Sequence, residues 1–270
     1  MAEQTNNWWH YGLTHAAMAS LAVATGAFEA AECYVREAMK SVSRYRFSFG
    51  GALALPALAC VHALRGAQSE AAFALDMLVE PGRVFEHPAP IYTTLTKAYR
   101  QLSQWYVTGE INPHDRIENL YDISELSHCD ITSLPLLCAL VEMIDADKPA
   151  SIISTPLYQR LVTVADQGVC FTRGWVFLLP RILGLAAAHH QWWEQAEAHF
   201  RRAIVIATDL GARPELGRTY LDLAQMLLVR DEPNDRTQAR EMVRKARLIL
   251  HDLGMAPFVR RSDHLIERLD

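Results

Sequence analysis

Apolar positions recur at steps of three and four residues along most of this chain. In "GAFEAAECYVREAMKSV" the residues Phe28, Ala31, Val35 and Ala38 follow at offsets of 3, 4 and 3, the spacing that lines one face of an α-helix. The same offsets return in "HHQWWEQAEAHFRRAIVIA" with Trp193, Ala196, Phe200 and Ala203, and in "AQSEAAFALDML" with Gln68, Ala71, Leu75 and Leu78. Ala239, Val243 and Ala246 continue the pattern in "DRTQAREMVRKARLIL". No strand-like alternation competes with this period, so an all-α fold is expected.

The stops are as regular as the helices. "VADQGV", "ATDLGA" and "LHDLGM" place Gly168, Gly211 and Gly254 at intervals of 43 residues. Glycine just past a helix can take the left-handed conformation that strains other residues. A constant period of roughly 20 to 50 residues marks a repeat array. Ala71 and Ala196 are 125 residues apart, close to three units of about 42, which predicts degenerate helices near 90–108, 114–127, 133–146 and 153–166. The stretches "EPGRVFEHPAP", "INPHD", "DADKPAS" and "STP" supply turn chemistry between them. The longest of these breaks, 80–90, is where a hinge is expected in what otherwise reads as a single helical-repeat domain over 1–270.

"GAFEAA" at 26–31 resembles the turn of a tetratricopeptide repeat, in which small residues let two helices approach and an aromatic fills the space between them. Leu183 and Gly184 match that family's Leu-Gly on the first helix, and Ala196, Phe200 and Ala203 match its small-aromatic-small second helix. The units here run to 40–43 residues, against about 34 in the common repeat. Longer units in series, such as "LPRILGLAAA" and "GARPELGRTYLDLAQMLLVR", are similar to helical regions of LuxR-type and maltose-activator-type bacterial regulators, and of proteins with class III nucleotide cyclases. The resemblance is best over 174–258. It implies a right-handed α-solenoid of about six antiparallel helical hairpins, and no particular activity.

Composition narrows the function classes. The chain has 270 residues, half of them hydrophobic, and a net charge of −5, which lacks the basic footprint of a nucleic-acid coat. Cys33, Cys60, Cys129, Cys138 and Cys170 form no CxxC pair and read as small buried hydrophobes in a reducing compartment. The N-terminal apolar run has no cationic start and is broken by His10, Tyr11 and His15, so neither a signal peptide nor a membrane span is expected. A cytoplasmic protein is expected.

Catalytic motifs do not emerge. "HHQWWEQAEAH" places His190 and Glu194 one helical turn apart, but the HExxH arrangement is absent and the run falls where a hairpin must turn. "SHCD" at 127–130 sets His128, Cys129 and Asp130 side by side, whereas catalytic pairs are neighbours in space. No phosphate loop or GxSxG elbow occurs, so neither an enzyme nor a cofactor is expected. The basic stripe Arg236, Arg240, Arg244 and Arg247 is interleaved with Asp235 and Glu241 and reads as a solvated face.

Arg181 carries more information, because "WVFLLPRILGLAAA" surrounds it with apolar residues and a buried unpaired guanidinium costs several kcal/mol. Two readings follow. Arg181, with His189, Arg218 and Gln225, lines the concave surface of the array; or it pairs with a carboxylate of the next unit, Asp222 or Glu215. The functional expectation is a non-catalytic scaffold or regulatory module that binds a protein partner of unknown identity. The alternative is a small-molecule-sensing array of a bacterial transcriptional or signalling regulator.

Overall fold

A computed structural model describes residues 7–42, 49–110, 133–143 and 155–269. Among these the chain forms twelve helices and no strand. Among the described residues the sole extended pairing is an isolated bridge between Phe171 and Leu178. The helix expected at 114–127 and the "SHCD" stretch lie outside the described residues.

The helices divide between two compact units, each with its own core. The first holds α1 (Trp8–Thr25), α2 (Phe28–Val42), α3 (Phe49–Arg65), α4 (Gln68–Val79) and α5 (Pro90–Thr108). It also takes α6 (Ser133–Glu142) as far as Ala139, and the short segment Thr172–Val176. The second takes the end of α6, then α7 (Thr155–Asp166), α8 (Leu179–His189), α9 (Trp193–Asp209), α10 (Arg213–Arg230), α11 (Asp235–Asp252) and α12 (Ala256–Leu269). The expectations for 90–108, 133–146 and 153–166 correspond to α5, α6 and α7.

Within each unit, helices pack mainly on their neighbours in sequence: α1 on α2 and α3, α3 on α4, α8 on α9, α10 on α11, and α11 on α12. The buried positions follow the three-and-four spacing. Phe28, Ala31, Val35 and Ala38 are the inward face of α2, and Ala196, Phe200, Ala203 and Ala207 that of α9. Gly184 explains how closely α8 and α9 approach, since a Cβ there would stand 2.7 Å from the Phe200 ring.

Gly168, Gly211 and Gly254 end α7, α9 and α11 at φ of 88°, 63° and 67°. Each donates its N–H three residues back, to the carbonyls of Ala165, Thr208 and His251. The following N–H of Val169, Ala212 and Met255 reaches five residues back, to Val164, Ala207 and Leu250. This double bond pattern is the Schellman cap, which satisfies carbonyls that a helix end otherwise leaves bare. Gly26 and Gly66 repeat it after α1 and α3.

The segment 80–89, where a hinge is expected, places Val84 and Phe85 in the first unit's core with Ala52, Leu55 and Leu78. Trp175, among the apolar residues of "WVFLL", is fully buried. No helix among the described residues is long and apolar enough to cross a membrane. Among the described residues, Cys33, Cys60, Cys138 and Cys170 form no disulfide.

Candidate functional site

Two of the residues singled out from sequence, Arg181 on α8 and Arg218 on α10, come together inside the second unit, each only 1% exposed. Three carboxylates meet them. Arg181 donates from Nε to Glu215 Oε2 at 2.8 Å, from Nη1 to Asp222 Oδ2 at 2.8 Å and from Nη2 to Glu142 Oε2 at 2.5 Å. Arg218 donates to Glu215 Oε1 at 2.5 Å and to Glu142 Oε1. Its guanidinium also stands 5.2 Å from the centre of the Phe258 ring, a cation–π contact.

The helical period builds this arrangement. Glu215, Arg218 and Asp222 lie at steps of three and four on α10, so one face of that helix presents all three. Glu215 Oε2 also accepts from the Leu178 N–H, which begins α8, at 3.1 Å. A carboxylate there satisfies a bare amide and sits favourably at the positive end of the helix. Burial pushes the Glu215 carboxyl above its ordinary value, while Arg181 pulls the other way. Two guanidiniums against three carboxylates leave one negative charge. Arg261 on α12 approaches Asp222 Oδ1 at 3.9 Å and donates to Gln225 Oε1 at 2.5 Å.

Both sequence readings of Arg181 can now be placed. It binds Glu215 and Asp222 together, and it is buried with Arg218. The physical reason is the one that drew attention to it: with apolar neighbours along the sequence, its buried charge needs internal carboxylates. Gln225 is half-buried at the edge of the network, beside Arg261. His189 lies at the C-terminal end of α8. Glu142 escaped sequence reading although it closes "LPLLCALVE" with the same signal as Arg181, a lone charge in an apolar run.

A second polar cluster gathers beside the turn between α8 and α9. Tyr158 and His199 share a 2.7 Å hydrogen bond, and His190 stacks on Trp192 at 4.3 Å. Burial, reinforced by Arg202, pushes the His199 imidazole below its ordinary value. Among the described residues no group of three or more His, Cys, Asp or Glu is placed to hold a metal ion. The basic stripe on α11 has a structural use: Arg236 and Arg240 donate to the carbonyls of Arg268 and Leu269 at the end of α12, and Arg247 pairs with Asp263 at 2.6 Å.

No family model, curated protein or solved structure matches this chain.

Proposed function

We propose that this chain is a non-catalytic scaffold: a right-handed α-solenoid of antiparallel helical hairpins, related in design to tetratricopeptide arrays, that holds a protein partner on its concave surface. The observation that carries this reading is the recurrence of one cap, with the same two hydrogen bonds, at Gly168, Gly211 and Gly254. Equal stops at equal intervals belong to stacked equivalent layers, which bury a continuous core and leave a long surface free for recognition. The network of Arg181, Arg218, Glu142, Glu215 and Asp222 then serves as internal bracing of that surface. Its charges are spent on one another, so recognition falls to half-buried residues such as His189 and Gln225.

The test is affinity capture from the native host, using wild type, a His189→Ala/Gln225→Ala variant and a Val205→Glu/Leu248→Glu variant. Val205 and Leu248 are exposed on the second helices α9 and α11. The expected result is a partner retained by wild type and by the Val205/Leu248 variant but lost from the His189/Gln225 variant, at unchanged melting temperature. Identical capture by all three would remove the concave-surface reading.

A further inference from the structure

The helices of the second unit are not all held equally. Among the described residues α7 packs chiefly on one helix, α8, whereas α8 to α12 each pack on at least two others. The inward face of α7 is Leu157, Tyr158, Leu161 and Ala165. An element with few packed neighbours opens locally for less free energy than unfolding the whole molecule requires. Polar ties therefore weigh more on α7 than on the helices behind it.

Two such ties join α7 to α9. Tyr158 and His199 Nε2 share the 2.7 Å hydrogen bond, and Asp166 Oδ1 stands 3.9 Å from Arg202 Nη1. Both side chains of the second pair are open to solvent, where an ion pair contributes about 0–1 kcal/mol. The first tie is sheltered. Tyr158 is 6% exposed, and its ring meets Trp192 edge-on at 5.1 Å and His199 edge-on at 6.0 Å.

Protonation acts on the sheltered tie. A neutral imidazole can accept the phenolic O–H at Nε2, whereas an imidazolium carries a hydrogen on each nitrogen. The bond then survives only if the phenol turns to become the acceptor, and the new charge sits where water reaches it poorly. Burial is the largest influence on His199 and holds its imidazole below the ordinary 6.5. Arg202, three residues along α9, adds to that effect, and Asp166 of α7 opposes it. The other imidazole of the cluster, His190 in the turn after α8, is linked to Tyr158 through Trp192, on which it stacks. When α7 lifts away, His199 regains water and binds its proton more readily. The docked state therefore has its full stability above pH 6.5 and loses it as pH falls from there towards the folded value.

We propose that the Tyr158–His199 pair is a pH-sensitive latch: with His199 neutral it holds α7 against α8 and α9, and with His199 protonated α7 opens while the rest of the second unit stays folded. The proposal goes beyond the scaffold reading and does not depend on it.

Native-state hydrogen exchange of the full chain at about pH 7.5 and about pH 5.5, corrected for the intrinsic pH dependence of exchange, is the test. The amides of α7 are expected to lose protection about threefold or more at the lower pH, while those of α9 and α11 keep theirs. His199→Gln takes up no proton yet offers Tyr158 an acceptor, so its α7 is expected to be equally protected at both values. His190→Gln is expected to respond as wild type does. In wild type, the His199 imidazole followed by NMR is expected to titrate below 6.5, which keeps the test decisive if a variant fails to fold. Unchanged α7 protection in wild type would overturn the proposal, as would an equal loss in His199→Gln or a loss shared by α9 and α11. A response abolished by His190→Gln and kept by His199→Gln would assign it to the wrong imidazole and overturn it too, and so would a His199 that titrates at or above 6.5.

Discussion

Removing a guanidinium and removing a carboxylate from the Arg181 network should not cost the same. Arg181→Met leaves Arg218 as the single fully buried cation facing Glu142, Glu215 and Asp222. Breaking a buried charge set in this way costs about 3–5 kcal/mol, to be read as a fall in urea-unfolding free energy. Glu215→Gln instead leaves two guanidiniums facing two carboxylates, and the amide oxygen still accepts one bond, so a loss of about 1–2 kcal/mol is expected, near that of a single buried hydrogen bond. The two variants should also differ from wild type in pH response. Because burial raises the folded carboxyl of Glu215 above its ordinary 4.5, the folded state takes up that proton before the unfolded state does. Its contribution is fully present below pH 4.5 and is lost as pH rises through the folded value. Asp235 has the opposite sign: its bond to Arg230 holds it below the ordinary 3.8, so its contribution is lost as pH falls through the folded value. Thermal melts between pH 7 and 3 check both signs. Relative to wild type, Glu215→Gln gains less on mild acidification, and Asp235→Asn loses less below pH 4.

At the scale of the helix, the informative glycines act for two different reasons. Gly211 is required by backbone conformation, at φ 63° with no atom within 4 Å of the position a Cβ would take. Gly211→Ala is expected to cost about 1–2 kcal/mol, the left-handed penalty of a residue with a Cβ. Gly184 is required by its neighbour, because an added methyl meets Phe200 in the tight packing of α8 on α9. Gly184→Ala should cost about 1–3 kcal/mol through overpacking. Combining it with Phe200→Leu should recover part of that loss, whereas the same second substitution gives Gly211→Ala nothing; a double-mutant cycle measured by urea unfolding decides. This difference also explains what was legible in the sequence. The caps and the inward faces of α2 and α9 could be read because they depend on residues within five positions of one another. Arg181 announced that it needed a partner, and Glu215 and Asp222 on α10 were within reach of sequence reasoning, but the third carboxylate, Glu142 on α6, was chosen by packing between distant segments. The burial of Thr96 and Ser103 gave no sequence signal, since hydroxyls on a helix ordinarily bond to their own backbone.

Across the molecule the two units solve burial differently. Among the described residues, the first fills its interior with apolar side chains and hydroxyls, whereas the second accommodates Glu142, Arg181, Glu215, Arg218, Asp222 and Asp235 as buried charges. Each has its own apolar cluster, Leu55 with Leu78 and Phe85 in one and Leu178 with Ala203 and Ala212 in the other. Regions with separate cores can open as separate cooperative units. Arg181→Met therefore provides a test at this scale, because its damage begins in the second unit alone. Native-state hydrogen exchange should show the amides of α8 and α10 losing protection by the same 3–5 kcal/mol that the network contributes. The amides of α1 and α3 should keep theirs. Equal loss in all four helices would instead mean that the chain opens as one body, in which case the stability bought by the charges of the second unit is shared by the hydroxyl-lined interior of the first.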